Sequence, residues 1–397
     1  MNDSQQTNRY QNYLLVTFVV MLTATTIALH QFKVPTIMGE IAANLRMTEA
    51  TAPWLMSIFT FVGIFIALPT GSWVQKFGPK AMLIAAAAFA AAGSLLGSLA
   101  ATGGVMLVSR GIEGVGFIFA TVCGPLAISR FVEPAKMGSA MGIWAIWVPV
   151  GQILAFNLTP ALFGSMGWHS AWFIYMAASV VMAIAILFLL DNKKGNLPAA
   201  GTGGATVKFT EVFAKKNFIL LCLTFATFNI VFMGTISFVP TFLESSGLLN
   251  KSAAAFVTTL PMFICMISSP IFGSVSDKIQ SRKKPLLLAM LVLGPSCAMM
   301  FIPNLPVVYA GAAIFGAIGM GVPAMVLSSV GEAVEVPELA GPGMGLMMVL
   351  QNVGMFLGTS TFMPLYGLLG GSYTAAGLVL IPVAVLGLVF VLMAKIK

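Results

Sequence analysis

Charged residues are scarce in this chain: only 8% of its 397 residues are Asp, Glu, Lys or Arg, against 58% that are hydrophobic. A soluble domain carries about 25% charged residues, so this composition excludes a water-soluble enzyme. The apolar residues form long continuous runs rather than an alternating polar and apolar pattern, which excludes a membrane β-barrel. Together with a mean hydropathy of +0.97, this is typical of a helical protein that crosses the membrane many times.

Histidine and cysteine are also rare, with two and four residues. The cysteines lie singly within apolar runs, which favours packed small hydrophobic residues over metal ligands or disulfides. His30 and His169 lack HExxH spacing, and no nucleotide-binding loop or nucleophile motif occurs in the sequence. We therefore expect neither an enzyme nor a cofactor or metal. A membrane-embedded enzyme and a transport-inactive receptor are remote alternatives.

Apolar runs separated by glycine, proline and charge predict twelve membrane-spanning helices of roughly 20 residues each. A polar, glycine-rich break separates the first six from the last six. The sequence thus predicts an N-terminal six-helix bundle at 1–190, a cytoplasmic linker at 191–213 and a C-terminal six-helix bundle at 214–397. The predicted spans are 13–36, 53–74, 81–100, 104–127, 138–161, 170–190, 217–240, 253–275, 285–302, 305–329, 340–367 and 373–394.

The basic residues indicate orientation rather than nucleic-acid binding. If the N-terminus is cytoplasmic, only Arg46 and Lys251 of the 20 Lys and Arg residues fall in external loops, and Lys33 and Arg110 lie within spans. Cytoplasmic loops of membrane proteins carry such an excess of basic residues. We therefore expect both termini in the cytoplasm and the protein in the inner (plasma) membrane. The first apolar run has no A-x-A cleavage site and is interpreted as a span, not as a signal peptide.

The two halves resemble each other in sequence. The segment Gly71–Lys76 matches Gly273–Lys278 at an offset of 202, and Met141-Gly142 matches Met344-Gly345 at an offset of 203. Because this offset covers six helices, an even number, the repeats have the same orientation. Parallel repeats predict a transporter whose substrate lies between the halves near the middle of the membrane.

Three motifs resemble those of the major facilitator superfamily. The segment Gly71–Lys80 is similar to the family loop G-x-L-A-D-R-x-G-R-K after the second span. Arg110 with Gly114 and Gly116 resembles the R-x-x-x-G-x-G pattern of the fourth span, and Gly167–Phe173 resembles the signature before the sixth. The resemblance covers the whole chain. It implies two parallel six-helix bundles and secondary transport by alternating access.

The loop motifs supply candidates for a cytoplasmic gate. The family's motif aspartate is Gln75 in the first copy and Asp277 in the second. The resemblance therefore implies that Asp277 latches neighbouring helix ends, the alternative being a solvated loop carboxylate. The antiporter motif of the fifth span is only partly present, as Gly142, Pro149 and Gly151, which leaves symport and antiport open. The gating candidates are Gly71, Gln75, Gly78, Lys80, Gly273, Asp277 and Arg282.

Two short stretches are similar to a narrower group of bacterial porters. His30–Pro35 and Gly142–Pro149 look like those of the cyanate, nitroimidazole and nitrate/nitrite carriers. The similarity to nitrate carriers would imply arginines in the second and eighth spans. None occurs there, so nitrate specificity is not expected.

Four ionisable residues within predicted spans are candidates for the transport chemistry. His30 and Lys33 are three residues apart, as are Arg110 and Glu113, so each pair shares a helical face. At about 1.5 Å per residue, all four lie in the outer half of one bundle. Since an intramembrane charge usually faces a cavity or a partner, we expect a polar cluster. The alternatives are that Lys33 reaches the outer interface, that Arg110 and Glu113 pair only with each other, and that His30 merely packs.

This cluster suggests the substrate. If Glu113 offsets one of the charges on Lys33 and Arg110, the site carries about +1, which favours a small organic or inorganic anion. Glu113 or His30 is the candidate proton carrier, because burial and neighbours alter the proton affinity of both groups. Further substrate contacts are predicted at polar or aromatic positions of apolar helices, which can equally serve to pack helices. These positions are Trp144, Gln152, Asn157, Asn229, Gln351 and Asn352.

Two transport functions remain open. The first is a proton-linked carrier for a small anion. The second is an exporter of lipophilic drugs or metabolites, which 26 Met and 30 Phe residues and the partial antiporter motif suggest. In both cases the expected partners are a small-molecule substrate, a proton or counter-ion and the lipid bilayer. Nucleic acid is not expected, and the protein is expected to be a monomer.

Overall fold

The computed structural model describes residues 10–48, 50–133, 136–192, 194, 210–334 and 340–396, which fold into helices joined by short connections. The first half contains α1 (Tyr13–Phe32), α2 (Met38–Asn44), α3 (Trp54–Phe77), α4 (Pro79–Ser98), α5 (Gly103–Phe131), α6 (Met137–Trp144), α7 (Trp147–Met166) and α8 (Trp168–Leu189). After α9 (Thr210–Phe213), the second half contains α10 (Lys216–Ser245), α11 (Lys251–Lys278), α12 (Lys283–Met299), α13 (Leu305–Ala317), α14 (Val322–Val334), α15 (Ala340–Leu368), α16 (Tyr373–Leu378) and α17 (Leu380–Met393).

Eleven segments among the described residues are long and apolar enough to cross a membrane. The predicted ninth span corresponds to α12, which has 17 residues and lies at the lower end of the roughly 17–25 residues that cross a bilayer. Twelve spans and two cytoplasmic termini therefore stay predictions. Most of the predicted linker at 191–213 lies outside the described residues.

Three predicted spans consist of two helical segments each, which the sequence analysis did not anticipate. α6 is followed by α7, α16 by α17, and α13 by a 3-10 turn at Gly319–Gly321 and then α14. In each case a proline lies in the first turn of the second segment: Pro149, Pro323 and Pro382. Proline has no N–H to donate and is tolerated best in the first turn of a helix. The breaks therefore coincide with the positions where an uninterrupted helix would lose a backbone hydrogen bond.

Two helix pairs make the most extensive contacts between the predicted halves in the described structure. α3 packs against α15, and α7 packs against α11. In the first pair, Ser57 Oγ lies 2.9 Å from Thr359 Oγ1, and the ring centroids of Phe61 and Phe356 are 5.3 Å apart. In the numbering of the predicted spans, these pairs are span 2 with span 11 and span 5 with span 8. A shift of six spans turns span 2 into span 8 and span 11 into span 5, so it converts one pair into the other. The contacts between the halves thus follow the repeat.

The repeat also appears in matching contacts at the predicted cytoplasmic ends of the helices. Lys80 Nζ donates to two carbonyls at the end of α8, at 2.8 and 2.5 Å. Lys283 Nζ donates to two at the end of α17, at 3.1 and 2.6 Å. A cation at a helix C-terminus is favourable because the unpaired carbonyls carry partial negative charge. Gly78 and Gln280, at an offset of 202, both have positive φ, 83° and 51°, so the two loops turn in the same way.

Candidate functional site

His30 and Lys33 of α1 meet Arg110 and Glu113 of α5 inside the first half, and all four side chains are fully buried. Glu113 is the centre of this cluster. Its Oε1 accepts a hydrogen bond from Lys33 Nζ at 2.6 Å and lies 3.2 Å from His30 Nδ1, while its Oε2 pairs with Arg110 Nη1. The structure thus brings together the four ionisable residues predicted from their spacing. Lys33 does not extend to the outer interface, and the Arg110–Glu113 pair is not closed within α5.

Two other helices complete the surroundings of Lys33 and His30. Lys33 Nζ donates to Ser94 Oγ of α4 at 2.9 Å and lies 4.0 Å from the ring centroid of Trp172 on α8. Ser94 Oγ in turn donates to the Trp172 carbonyl at 2.9 Å. His30 Nε2 lies 2.8 Å from Ser179 Oγ on α8. Sequence reasoning missed these residues, because one hydroxyl or ring in an apolar helix gives no distinctive signal.

Arg110 connects α5 to two neighbouring helices. Its Nε donates to the Leu55 carbonyl at 2.8 Å, and its Nη1 donates to the His30 carbonyl at 2.5 Å. Its Cζ lies 4.5 Å from the ring centroid of Phe59. Its Nη2 is buried and has no hydrogen-bond partner among the described residues. One edge of the guanidinium therefore retains its hydrogen-bonding capacity.

Close helix packing around the cluster depends on two glycines. A Cβ at Gly93 of α4 would lie 2.6 Å from Glu113 Cγ, and a Cβ at Gly114 would lie 2.4 Å from the Phe59 carbonyl oxygen. Both distances are too short for any larger residue to fit without movement. Gly114 belongs to the R-x-x-x-G-x-G pattern, so this motif glycine allows α5 to approach α3 closely.

The cluster holds two cationic side chains and one carboxylate. With His30 neutral, the net charge of the cluster is about +1. The cluster is shielded from solvent, and charges there interact more strongly than in water. Removing one member of a buried ion pair leaves an uncompensated charge, at a cost of about 3–5 kcal/mol. Glu113 is therefore needed to keep two cations in the interior of the bundle.

The second half has no equivalent charges at the corresponding positions of the described structure. At the offset of 202, Arg110 corresponds to Ala312 and Glu113 to Phe315, and both of these side chains are fully buried. The N-caps of the two helices match at the same offset. The repeated scaffold thus carries the polar cluster in one half and apolar packing in the other.

The predicted amides do not join this cluster in the described structure. Asn157, Asn229 and Asn352 each donate to the carbonyl four residues earlier in their own helix, at 2.7, 2.7 and 2.8 Å. Asn157 is exposed, whereas Asn229 and Asn352 are buried. Gln351 is half-buried. Gln152 is fully buried, and neither atom of its amide has a partner among the described residues.

Trp144 fills a contact between helices. Its ring lies against Gly124 of α5, where an added Cβ would come within 2.0 Å of Cη2. It stacks on Trp147 with 5.4 Å between ring centroids. Both side chains are buried. The structure therefore gives Trp144 a packing role, and its predicted contact with substrate stays untested.

The remaining gating candidates have different surroundings. Arg282 donates through Nη1 to the Ser328 carbonyl near the end of α14. Added Cβ atoms at Gly71 and Gly273 would meet nothing within 4 Å among the described residues. The side chains of Gln75 and Asp277 lie outside the described part of the structure, so the latch by Asp277 stays a prediction.

The chain is similar to parts of several known proteins. The uncharacterized MFS-type transporter Rv1250 of Mycobacterium tuberculosis is 28% identical over 173 residues, 44% of this chain and 29% of that protein. The galactose-proton symporter of Escherichia coli K12 is 24% identical over 197 residues, 49% of this chain and 42% of the symporter. The putative multidrug resistance protein MdtD of Yersinia pestis is 23% identical over 228 residues, 57% and 45% of the two chains.

These matches cover less than half the length of each relative, and the names of the relatives differ in cargo. The similarity to the cyanate, nitroimidazole and nitrate/nitrite porters therefore stays a prediction. The family itself is clear, because the family model of the Major Facilitator Superfamily matches residues 13–359. With its many membrane-crossing helices and repeated loop contacts, the chain belongs to the Major Facilitator Superfamily.

Proposed function

We propose that this chain is a secondary active transporter that moves a small organic or inorganic anion by alternating access, with proton coupling. The observation that carries the proposal is the buried cluster around Glu113, in which Lys33 and Arg110 place an excess of positive charge inside the first half. Such a charge in a low-dielectric interior attracts an anion. Intramembrane ionisable residues of transporters commonly mark substrate or proton pathways.

The transport cycle follows from the two halves. The bundles 1–190 and 214–397 move against each other about the α3–α15 and α7–α11 contacts and expose the substrate site to one side of the membrane at a time. All charges of the cluster are held by the first half. The corresponding positions of the second half, Ala312 and Phe315, are apolar, so the charge that attracts the anion comes from the first half.

Proton coupling centres on Glu113 and His30, whose Oε1 and Nδ1 atoms are 3.2 Å apart. A proton that reaches this pair neutralises Glu113 or charges His30, and in either case it raises the net positive charge of the cluster. Anion binding and protonation therefore favour each other. This coupling predicts that the anion and the proton move in the same direction.

The proposal is tested with purified protein in liposomes. Uptake of small carboxylates, cyanate and nitrite is measured with and without an imposed proton gradient. We expect gradient-dependent uptake of at least one anion, lost in Lys33→Ala and Arg110→Ala and retained in the exposed control Lys284→Ala. If liposomes that contain the wild-type protein accumulate none of these anions under any gradient, the proposal of an anion carrier is contradicted.

Export of lipophilic compounds is the second candidate. The second half contains stacked phenylalanines, with ring centroids of Phe225 and Phe228 6.1 Å apart and those of Phe228 and Phe232 5.7 Å apart. Aromatic faces bind apolar and cationic ligands. The two candidates differ in what stabilises the protein: protection from thermal unfolding by lipophilic cations, but not by small anions, supports the exporter.

A further inference from the structure

Two buried glutamines in the first half have amide groups without partners. Gln31 of α1 is 4% exposed and Gln152 of α7 is 0% exposed. Neither the oxygen nor the nitrogen of either amide has a hydrogen-bond partner among the described residues. Buried polar groups in folded proteins are almost always hydrogen-bonded, so each exception calls for an explanation. Gln31 was not identified from the sequence.

The two glutamines lie at similar depth on neighbouring helices. An added Cβ at Gly151 would come within 2.4 Å of Ala28 Cβ, and four to five residues further along both helices the rings of Phe32 and Phe156 are 6.3 Å apart. α1 and α7 therefore run in the same direction. At 1.5 Å per residue, the two glutamines differ by about 3–5 Å along the helix axes, which is within the reach of their side chains.

They also point to the same side of the α1–α7 contact. Ala28 and Phe32 define the direction in which α1 faces α7. At about 100° per residue around the helix axis, Gln31 is rotated about 80° back from the middle of that direction. On α7, Gly151 and Phe156 define the direction that faces α1, and Gln152 is rotated about 30° forward from the middle of it. On parallel right-handed helices that face each other, opposite rotations direct side chains to a common side. α7 also packs against α11, and the ring centroid of Phe163, which is about 20° of rotation from Gln152 on α7, lies 4.5 Å from Lys251 Nζ of α11. The Gln152 face of α7 is therefore turned towards the second half.

Arg110 reaches α1 at the same place. Its Nη1 donates, at 2.5 Å, to the carbonyl of His30, which belongs to the peptide bond that joins His30 to Gln31. Its Nη2, next to that contact on the guanidinium, has no partner within the described structure. Unused hydrogen-bonding capacity of α5 thus lies beside the His30–Gln31 peptide of α1, and by helix geometry Gln152 of α7 lies within side-chain reach of Gln31.

We propose that Gln31, Gln152 and Arg110 Nη2 form the substrate site, and that it takes a small carboxylate which also carries a hydroxyl group. This inference rests on the proposed anion carrier and specifies its substrate class. The guanidinium and the two amide NH2 groups donate to carboxylate oxygens, and the amide oxygens accept from the hydroxyl. Lys33 already donates to Glu113 and to Ser94, so Lys33 and Glu113 act on the substrate through the electric field of the cluster and not by contact.

The test uses Gln31→Met and Gln152→Met, which keep the length of the side chain and remove the amide. The controls Leu22→Met and Leu154→Met place methionine on the exposed faces of the same helices, where these leucines are 45% and 38% exposed. Uptake of lactate is compared with that of propionate, which lacks the hydroxyl, and of nitrite, in liposomes with a proton gradient. Thermal unfolding is measured with and without lactate.

We expect each glutamine variant to raise the KM for lactate about tenfold or more, as for the loss of a hydrogen bond to a charged group, and to lose stabilisation by lactate. Without lactate, the unfolding temperature should stay constant or rise, because an apolar group replaces an unpartnered amide. A purely structural role would instead lower it.

An unchanged KM for lactate in both variants, or a lower unfolding temperature of the substrate-free variants, would overturn the inference and leave the anion carrier standing. Wild-type protein that carries propionate or nitrite as well as lactate would overturn the substrate class. Wild-type protein that carries none of the three would overturn the hydroxy-carboxylate site, and the anion carrier itself falls only if the other small carboxylates and cyanate are not accumulated either.

Discussion

Lys251, the first residue of α11, forms an ion pair with Glu40 of α2 and so connects the two halves at their predicted outer ends. A second carboxylate oxygen, Glu244 Oε1 of α10, lies 3.8 Å from Lys251 Nζ. The same Nζ lies 4.5 Å from the ring centroid of Phe163 on α7. Both carboxylates also line a cavity of about 310 Å³ that opens beside Thr36. Because the pair joins the halves beside this cavity, we expect it to hold their outer ends together, and Lys251 to keep its contact with Glu244, of its own half, when the halves separate.

The pair between Glu40 and Lys251 predicts how charge changes alter access to the outer cavity. Glu40→Gln removes the contact between the halves and should favour the outward-open state. A partly exposed ion pair contributes about 0.2–1 kcal/mol, so the population shifts up to about fivefold. The measurement is the alkylation rate of a cysteine placed at Thr36, which lines the cavity. We expect a rise of up to about fivefold in Glu40→Gln.

Two controls make this assignment specific. Glu40→Lys combined with Lys251→Glu restores an opposite-charge pair and should return the alkylation rate towards that of the wild type. Glu244→Gln leaves the pair between the halves in place and should change the rate less than Glu40→Gln. Equal rates in Glu40→Gln and wild-type protein would mean that this pair does not hold the outer end closed.

Glu113 is predicted to stabilise the fold by compensating two buried cations. Glu113→Gln leaves Lys33 and Arg110 without their carboxylate, which should cost about 3–5 kcal/mol and lower the unfolding temperature in detergent. Adding Lys33→Met removes one of the uncompensated charges and should recover part of the loss. Thermal unfolding of the two variants measures this. A double variant no more stable than Glu113→Gln alone would show that the two residues are not energetically coupled.

Proton coupling is predicted to require the same carboxylate. In variants that fold, Glu113→Gln should equilibrate the anion down its own gradient without accumulating it against one, because the proton site is lost. His30→Asn tests the other candidate in the same assay, and its effect on the pH dependence of uptake separates the two roles. If Glu113→Gln shows the wild-type pH dependence, Glu113 is not the proton carrier.

Much of the architecture and part of the site were predictable from the sequence. The three-residue spacing within each pair, His30 with Lys33 and Arg110 with Glu113, is a local signal, since helical geometry places such residues on one face. Gln31 carries the same kind of signal as Gln152, a lone amide in an apolar helix, but it lies between the stronger signals of His30 and Lys33. In contrast, Ser94 has no distinctive local pattern, because its role is set by a tertiary contact.

The helix breaks and the outer ion pair also differ in how much of them a local sequence pattern can reveal. Pro323 and Pro382 are visible in the sequence and lie in the first turn of a new helical segment, where proline is tolerated best. Pro69 and Pro364, in contrast, lie inside continuous helices, so a proline alone does not predict a break. The pairing of Lys251 with Glu40 joins residues 211 positions apart in the chain. No periodicity reaches that far, so only the packing of the two halves reveals it.

Gly93 is predicted to be required for the space that the Glu113 side chain occupies. In Gly93→Ala the new Cβ would lie 2.6 Å from Glu113 Cγ and 2.8 Å from its backbone nitrogen, and overpacking of this kind typically costs about 1–3 kcal/mol. The matched control is Gly164→Ala on α7, where an added Cβ meets nothing within 4 Å in the described structure and should stabilise by about 0.4–1 kcal/mol. Thermal unfolding should therefore move in opposite directions for the two substitutions. If Gly93→Ala is as stable as Gly164→Ala, α4 and α5 have room to separate, and the close approach does not hold Glu113 in place.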